Sequence, residues 1–373
     1  METQLRKIDP LQPEVEAIRQ AAAILEGGGL VAVPTETVYG IACRAERSFT
    51  ARLDKLKGRP AGKPYTLHIA RKDDVCRYVP RIDIRARKLV DRGWPGPLTL
   101  VFELGDADLE TVRLELGEAV FEGLYAAGSV GIRCPDHRVA AMMLSQVHHP
   151  VVMPSANISG HKPAVDGKTV YEGFKGAIEM VLDAGRCKYG VSSTIVKIGK
   201  KRLEVVRQGC YSAERIETMS KVRILLVCTG NTCRSPMAEG LFRKYLAGKL
   251  GCALDEVEKL GYKIESAGVM GISGAGASAE AVAACAARAV DINGHRSRKL
   301  SRRLVEQSDL ILVMTNAHRE AVLSMCAGAE SRCQLLAKDR EIPDPIGRGR
   351  REYENCAAMI EQAVRERVSE LVR

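Results

Sequence analysis

Val222-Arg-Ile-Leu-Leu-Val-Cys-Thr-Gly-Asn-Thr-Cys-Arg-Ser-Pro236 predicts an aliphatic strand, a tight polar loop and the start of a helix within fifteen residues. Residues 222–227 form the kind of short apolar run that is buried in a parallel sheet, and Pro236 suits the first turn of a helix. Backbone N–H groups that converge at such a helix start attract phosphate and favour the thiolate form of Cys228. The guanidinium of Arg234 adds a fixed fork of donors for phosphate oxygens. We therefore favour a phosphate site here over the alternative of a buried structural cysteine.

The chain after this loop alternates apolar strands with amphipathic helices. Strands are predicted at 222–227, 262–266 and 309–314, and helices at 236–248, 278–290, 301–307, 316–326 and 350–371. Such alternation is typical of an α/β fold, and it predicts a small, Rossmann-like parallel sheet covered by helices.

A cysteine that attacks phosphorus requires a general acid to protonate the leaving group. Asp344, in Ile342-Pro-Asp-Pro-Ile-Gly347, is the first candidate because its flanking prolines hold the carboxylate rigidly. Asp339 and Asp309 are the alternatives. Asp309 begins an apolar strand, which fits a backbone-capping role better than acid-base chemistry.

The composition describes a globular chain of more than one domain. Its 373 residues suggest two or three domains, and we expect two. The aromatic share of 4% argues against platforms that stack nucleic-acid bases. Lys and Arg exceed Asp and Glu by ten, an excess shared equally by residues 1–220 and 221–373. This diffuse charge fits phosphate chemistry and solvated surface charge equally well, so nucleic-acid binding does not follow.

The cysteines and the apolar runs indicate the compartment. Twelve cysteines without a Cys-x-x-Cys pair indicate reduced thiols rather than a disulfide framework. Residues 1–20 lack the apolar region of a signal peptide, and no later run reaches membrane-spanning length. We expect a soluble, cytoplasmic protein without a membrane partner.

Polar turns accompany the predicted strands of the N-terminal half. A helix at 13–26 stops at Gly27–Gly29, and the strand at 30–33 ends in the turn 34–40. Further polar or rigid turns occupy residues 93–99, 131–135, 154–160 and 190–193. Because α/β sheets commonly bind ligands at strand ends, we expect a ligand cleft, with ordinary backbone capping as the alternative.

A basic loop at 57–64 precedes a predicted strand at 65–69. Lys57, Arg59 and Lys63 stand among glycines and prolines there, a pattern that suggests polyphosphate binding or, alternatively, a solvated basic turn. Farther on, a polar and mildly helical stretch interrupts the strand pattern. It predicts domains at 10–210 and 221–373, joined by a linker at 211–220.

Residues 222–373 resemble the low-molecular-weight protein tyrosine phosphatase family. Besides the loop, the matching motifs are Ser266-Ala-Gly268, Gly294-His-Arg-Ser297 and Ser308-Asp-Leu-Ile-Leu-Val-Met-Thr315. The resemblance implies a phosphatase without a cofactor, in which Cys228 is the nucleophile and Arg234 binds phosphate. It further implies that Asn231 shapes the loop, Ser235 hydrogen-bonds the thiolate, and Asp344 is the acid-base residue. Cys233 matches the family's partner cysteine, which implies a reversible protective disulfide with Cys228.

Two departures from the family pattern concern the phosphoprotein substrate. Tyrosine-directed members usually carry aromatic residues after the Asp-Pro pair, whereas this chain has Ile346-Gly347. Thr232 occupies a loop position that is Thr in the similar protein arginine phosphatases. We therefore expect protein phosphoarginine as the substrate, with phosphotyrosine as the alternative.

Residues of about 12–210 resemble the YrdC-like family, the L-threonylcarbamoyladenylate synthases. The matching motifs are Pro34–Gly40, Lys57–Pro60 with Lys63-Pro64, Gly96–Thr99, Ile132–Pro135, Ser155–Gly160, Ser192–Ile195 and Val206–Gly209. The resemblance implies a twisted mixed sheet with helices, and synthesis of threonylcarbamoyl-AMP from L-threonine, bicarbonate and ATP. Further implied partners are Mg²⁺ on the ATP phosphates, with no metal site of the protein's own, and the tRNA threonylcarbamoyl transferase machinery.

The same resemblance implies two sets of binding residues. Threonine would be held by Thr35, His68, Arg133 and Ser193. ATP would be held by Lys57, Arg59, Lys63, Ser129, Ser155, Asn157 and Arg207. The segment His161-Lys-Pro163 departs from the family pattern, and the phosphatase-like region replaces the additional domain of longer synthases. The alternative hypothesis is a nucleotide- or RNA-binding module without synthase activity.

Overall fold

The structure is a computed structural model that describes residues 2–59, 64–199, 202–270 and 273–372. The chain forms two compact units: residues 1–82 with 86–219, and residues 83–85 with 220–373. The segment 211–220, which the sequence analysis treats as a linker, contains a helix. Its Ile216 and Met219 are buried in the core of the first unit.

The first unit is built around a mixed sheet, as predicted. Its strands are β1 (Gln4–Lys7), β2 (Val31–Val33), β3 (Gly40–Arg44), β4 (Thr66–His68), β5 (Leu98–Glu103), β6 (Ser129–Arg133), β7 (Val151–Val152), β8 (Met180–Asp183), β9 (Thr194–Ile198) and β10 (Leu203–Arg207). They follow the order β1-β8-β2-β3-β7-β4-β6-β5-β9-β10. Strand β1 precedes the predicted domain start and pairs in parallel with β8.

Helices cover this sheet. They are α1 (Val15–Glu26), α2 (Arg47–Lys57), α3 (Ile84–Gly93), α4 (Asp106–Leu116), α5 (Glu118–Leu124), α6 (Arg138–Gln146), α7 (Gly167–Phe174) and α8 (Ala213–Ser220). Aliphatic side chains such as Leu67, Leu100 and Ile132 are fully buried between the helices and the sheet. This packing fixes the strand register on which the polar residues depend.

The register places three polar residues in one row across the sheet. His68 of β4 lies opposite Arg133 of β6, and Arg133 lies opposite Thr99 of β5. Residues that lie opposite each other on neighbouring strands point to the same face. The row also lies at one edge, because β4 and β6 end where the antiparallel β5 begins.

The second unit contains a parallel sheet, which confirms the prediction. Its elements are β11 (Val222–Cys228), α9 (Arg234–Leu250), β12 (Tyr262–Gly268), α10 (Ala279–Ala286), α11 (Arg302–Gln307), β13 (Leu310–Val313), α12 (Asn316–Met325), β14 (Cys333–Leu335) and α13 (Gly349–Leu371). The strands follow the order β12-β11-β13-β14, and all pairs are parallel. Helix α10 is shorter than predicted because the chain turns at Ala289, which has a φ of 52°.

Within the described ranges, no helix is both long and apolar enough to cross a membrane. The twelve cysteines are free thiols.

Candidate active sites

Cys228 lies at the carboxyl end of β11 and is 2% exposed. The Ser235 hydroxyl lies 2.9 Å from its sulfur, and the backbone N–H of Asn231 donates to the same sulfur at 3.2 Å. Helix α9 begins directly after the loop, so its amino end faces the sulfur's surroundings. Donors of this kind stabilise a thiolate. The structure thus brings the predicted nucleophile and Ser235 together.

Asn231 holds the loop in shape. Its φ is 57°, a left-handed conformation that Asn tolerates better than most residues. Its side-chain NH₂ donates to Ser235 and to Ser266, at 2.9 and 2.8 Å, and its side-chain oxygen accepts from the Arg298 N–H at 2.8 Å. A Cβ at Gly268 would lie 2.6 Å from a loop carbonyl oxygen, which explains the glycine in the Ser-Ala-Gly motif.

Arg234 is 3% exposed and forms an ion pair with Asp344. Its Nη1 donates to the carbonyl of Ile342 at 3.1 Å, and its Nη2 donates to the Thr229 hydroxyl at 3.0 Å. Its Nε is buried and has no hydrogen-bond partner within the described chain. A phosphate oxygen would satisfy this donor.

Of the three candidate acids, Asp344 lies at the phosphate loop. It is partly exposed, and its Oδ1 accepts from the Ile346 N–H at 3.2 Å. Asp309 instead accepts the backbone N–H of Arg223. Arg223 lies five residues before Cys228 on an extended strand, a separation of about 17 Å. Asp339 forms an exposed ion pair with Arg340.

His318 belongs to the phosphate site although the sequence analysis did not single it out. Its Nε2 lies 2.9 Å from the Thr229 hydroxyl, and its Nδ1 lies 2.8 Å from the hydroxyl of Thr315. Burial, together with the charge of Arg234, lowers the pKa of His318 to about 4. The ring is therefore neutral near pH 7, and it links helix α12 to the hydroxyl that also contacts Arg234. The pattern Thr-x-x-His at a predicted helix start was the available signal.

Cys233 and Thr232 occupy the far side of the loop. The Cys233 sulfur lies 3.1 Å from the Tyr353 hydroxyl and 3.5 Å from the Ser278 hydroxyl. The Thr232 hydroxyl lies 3.6 Å from the Cys233 sulfur, and the carbonyl of Thr232 accepts from the Ser278 N–H at 2.9 Å. Contacts with Ser278 and Tyr353 thus hold this part of the loop in place.

In the first unit, Arg133 is the centre of a buried polar cluster. It is 6% exposed, and its Nη2 donates to Glu36 and to the Thr37 hydroxyl, each at 2.8 Å. Its Nε is buried without a hydrogen-bond partner among the described residues. The Thr35 hydroxyl lies 2.9 Å from that of Thr37 and donates to the carbonyl of Val38 at 2.6 Å. Thr35 and Arg133, both predicted to hold threonine, therefore share one cluster.

Ser193 and Arg207 extend this cluster. The Ser193 hydroxyl lies 2.9 Å from that of Thr99, the neighbour of Arg133 across the sheet. The Arg207 guanidinium donates to the Ser193 carbonyl at 2.9 Å. Burial and the nearby charge of Arg133 lower the pKa of Arg207. Two neighbouring guanidiniums with few carboxylates around them are suited to an anion.

His68 lies beside Arg133 and stays neutral. Burial and, to a smaller extent, the charge of Arg133 lower the pKa of His68 to about 3. Its Nδ1 lies 3.0 Å from the Thr66 carbonyl, which can only accept, so Nδ1 carries the proton and Nε2 is an acceptor. His68 also lines a cavity of about 460 Å³, but Arg133, Thr35 and Ser193 are not among the residues that line it.

Lys57 lies at the end of α2 and ties that helix to the turn at 155–157. Its ammonium donates to the carbonyls of Ser155 and Asn157. The Ser155 hydroxyl donates to the Asn157 side chain at 2.6 Å, and Ser155 pairs with Gly40, next to the cluster around Thr35. Burial, then the charge of Arg59, lowers the pKa of Lys57 to about 8. Three predicted ATP-binding residues therefore form one group.

The other predicted ATP-binding residues are arranged less closely. Arg59 stacks on the ring of Tyr65 at 4.4 Å and donates to the Pro64 carbonyl at 2.8 Å. Lys63 lies outside the described residues. Ser129 begins β6, four residues before Arg133, which separates the two by about 13 Å along the strand. The structure therefore does not bring Ser129 to the Arg133 cluster.

Among the described residues, no three or more His, Cys, Asp or Glu side chains lie close enough together to hold a metal ion. Mg²⁺ commonly binds through substrate phosphates with few protein ligands.

Comparison with known proteins identifies a relative for each unit. Residues 23–209 match the family model Sua5_yciO_yrdC, described as telomere recombination. Residues 223–373 match the model of low molecular weight phosphotyrosine protein phosphatases.

Individual relatives match the first unit. The threonylcarbamoyl-AMP synthase of Pyrococcus abyssi is 34% identical over 231 residues, which cover 61% of this chain and 65% of that protein. The human threonylcarbamoyl-AMP synthase is 34% identical over 203 residues, which cover 52% of this chain and 68% of that protein. A solved structure of a double variant of P. abyssi Sua5 has a TM-score of 0.50 at 25% identity, covering 70% of this chain and 91% of that chain. The chain thus spans less than two thirds of the P. abyssi protein's length.

Each family match covers the unit that contains one of the two polar clusters described above. The chain therefore belongs to the Sua5/YciO/YrdC family through its first unit and to the low molecular weight phosphotyrosine protein phosphatase family through its second.

Proposed function

We propose that the first unit synthesises L-threonylcarbamoyladenylate from L-threonine, bicarbonate and ATP. The main support is the buried Arg133. Its Nε has no hydrogen-bond partner among the described residues, and the charge of Arg207 is close enough to act on it. Such a pair suits the carboxylate of threonine and the phosphates of a nucleotide. The names of the P. abyssi and human relatives support this reaction.

In the proposed reaction, the threonine amine attacks bicarbonate and forms a carbamate with loss of water. A carbamate oxygen then attacks the α-phosphorus of ATP, and the bond to pyrophosphate breaks. The carbamate and ATP are both anionic, so Lys57, Arg59 and Arg207 would act mainly by reducing their repulsion and holding them in line. The product would pass to the transferase that modifies tRNA.

Pyrophosphate release that requires both ATP and threonine tests this proposal. We expect Arg59→Ala to abolish it, because Arg59 would contact the phosphates. Arg19→Ala is the matched control, since Arg19 is an exposed arginine of α1. Absence of threonine-dependent pyrophosphate from the wild type, with retained ATP or RNA binding, would instead favour a binding module.

The second unit is a phosphatase of the cysteine-dependent type in this proposal. The Cys228 sulfur attacks phosphorus, the bond from phosphorus to the leaving atom breaks, and Asp344 gives that atom its proton. Water then attacks the phosphocysteine, Asp344 takes a proton from the water, and the S–P bond breaks to release phosphate. The contact of Asp344 with Arg234 supports its position in this proposal, because it places the carboxyl group beside the guanidinium that would bind phosphate.

The proposed substrate is protein phosphoarginine. Thr232 supports it with a small hydroxyl in the loop, where it can hydrogen-bond a guanidinium or the attacking water. Ile346, which is 65% exposed beside Asp344, offers no ring for a phosphotyrosine to stack on.

Hydrolysis of phosphoarginine and phosphotyrosine peptides tests this specificity. We expect the wild type to have the higher kcat/KM for phosphoarginine, and Thr232→Ile to shift the ratio at least tenfold towards phosphotyrosine, about the effect of one pocket contact. Ile346→Tyr should shift it in the same direction by supplying the missing ring. A wild type that prefers phosphotyrosine would contradict the proposal.

A further inference from the structure

Glu36 is a buried carboxylate beside Arg133 to which the reaction above gives no role. It is 3% exposed, and its Oε1 lies 2.8 Å from the Nη2 of Arg133. Its Oε2 accepts the backbone N–H of Asp136 at 3.1 Å, and its own carbonyl accepts the N–H of Tyr189 at 2.9 Å. The carboxylate is therefore held firmly at the edge of the sheet where the polar row lies.

If the Glu36–Arg133 ion pair were purely structural, we would expect the remaining hydrogen-bond donors of Arg133 to have partners. Removing two charges from water is costly, and the pair recovers that cost only when the remaining polar atoms are also paired. Here the Nε of Arg133 has no partner in the described structure, and the charge of Arg207 is close enough to affect the same site. Positive charge thus exceeds the single buried carboxylate. The cluster requires a further anion to be complete.

An α-amino acid has the matching charges at the matching separation. Its carboxylate oxygens and its ammonium nitrogen lie about 3 Å apart, because one carbon separates the two groups. Glu36 and Arg133 lie 2.8 Å apart. A ligand whose carboxylate binds Arg133 therefore has its ammonium within hydrogen-bond reach of Glu36.

We propose that Glu36 binds the ammonium of the amino-acid substrate and so selects a zwitterion over other small carboxylates. This inference rests on the proposed synthase, since it concerns the amine that would become the carbamate nitrogen. Glu36 would touch the substrate directly. A hydroxy acid could still bind Arg133 but would leave the Glu36 charge without its partner.

Thr37 provides a matched control. Its hydroxyl also contacts the Nη2 of Arg133 at 2.8 Å, but it carries no charge that could bind an ammonium. Loss of Thr37 should disturb the position of Arg133, whereas loss of the Glu36 charge should also remove the ammonium site. The variants Thr37→Val and Glu36→Gln therefore separate positioning from recognition.

Isothermal titration calorimetry on the full chain tests the proposal by comparing the Kd values of two ligands. One is L-threonine, and the other is the hydroxy acid in which a hydroxyl group replaces the amine of threonine. We expect the wild type to bind threonine at least tenfold more tightly, about the effect of one charged hydrogen bond. Glu36→Gln should weaken the binding of threonine to the level of the hydroxy acid, and it should change the Kd of the hydroxy acid by less than about threefold. Thr37→Val should weaken both ligands by the same factor.

Equal weakening of both ligands by Glu36→Gln would overturn the proposal, because Glu36 would then only position Arg133. A wild type without preference would also overturn it, and this result needs no variant to fold. Pyrophosphate release by the wild type separates the two proposals. If the wild type releases pyrophosphate and Glu36→Gln still prefers threonine to the hydroxy acid, only the role of Glu36 is rejected. If the wild type prefers threonine but releases no pyrophosphate, only the synthase proposal is rejected.

Discussion

The two candidate sites are built in different ways. The phosphate site of the second unit is one continuous loop, Cys228–Arg234, in which backbone N–H groups and neighbouring side chains surround one sulfur. The cluster of the first unit takes His68, Arg133 and Thr99 from three strands, and Arg207 from a fourth. The geometry of the loop depends on local backbone conformation, whereas the geometry of the cluster depends on the register between strands. In the proposed functions, the loop depends on the single nucleophile Cys228, whereas the cluster divides its task among several cations.

The largest difference between the sites should appear on loss of the nucleophile. Cys228→Ser should lower hydrolysis of p-nitrophenyl phosphate by about 10⁴-fold or more, because a serine hydroxyl is a far weaker nucleophile without a base. Threonine-dependent pyrophosphate release should stay within twofold of the wild type, about the scatter of such assays. If this substitution silenced both activities, the view of two separate sites would be wrong.

The acid should have the next largest effect. Asp344→Asn should lower kcat for substrates with poor leaving groups by about 10²-fold, since the leaving atom then departs without a proton. Substrates whose leaving groups need no proton should be affected much less. Asp339→Asn, five positions earlier and exposed, serves as the control. Equal losses for both kinds of substrate would argue against the acid role.

A conservative change of Arg133 should have a smaller effect. Lysine cannot contact Glu36, Thr37 and a ligand carboxylate together, because it lacks the planar fork of donors. We expect Arg133→Lys to raise KM for threonine by about 30-fold, while Arg207 and Lys57 retain part of the charge. The exposed Arg138→Lys, at the start of α6, is the matched control. An unchanged KM would remove Arg133 from the threonine site.

The smallest effect concerns pH. The folded-state pKa of His68 is lowered to about 3, whereas an unfolded histidine titrates near 6.5. Between these values the unfolded chain binds a proton that the folded unit does not, so the first unit loses stability as the pH falls. We expect a loss of about 2 kcal/mol between pH 7 and pH 5.

Urea unfolding followed by the fluorescence of Trp94 measures this loss. Trp94 is the single tryptophan of the chain and is buried in the first unit. His68→Gln should remove most of the pH dependence, whereas His148→Gln, at an exposed histidine, should not. Equal pH dependence in all three proteins would contradict the buried neutral state of His68. For His318 in the second unit, whose pKa is lowered to about 4, we expect a loss in the same direction and of nearly the same size between pH 7 and pH 5.

The contrast between loop and register also explains what could be predicted from sequence. The strand, loop and helix around Cys228 were predictable because their signals are local, and the parallel sheet followed from the alternation of elements. Strand β14 was not predicted, because its sequence Cys-Gln-Leu is not an apolar run of the kind that indicates the other strands of this sheet. Helix α10 was predicted too long because alanine favours helix through Ala289, where the chain in fact turns.

The same distinction applies to the sites. His318 is distant in sequence from the loop that it contacts, so only the fold joins them. Glu36 stood inside a recognised motif, but its pairing with Arg133 depends on how β6 approaches the turn after β2. The separation of Ser129 from Arg133 likewise became visible only with β6 in place.

Asn231 has a consequence for the kinetics of binding. Its left-handed backbone costs on the order of 1 kcal/mol, and hydrogen bonds to Ser235, Ser266 and Arg298 offset this cost without a ligand. These hydrogen bonds hold the loop in this conformation without a ligand, so we expect little of the binding affinity to be lost to ordering it. Association should therefore be limited by diffusion. In stopped-flow experiments the observed rate should rise linearly with oxyanion concentration, without the plateau of a slow conformational step.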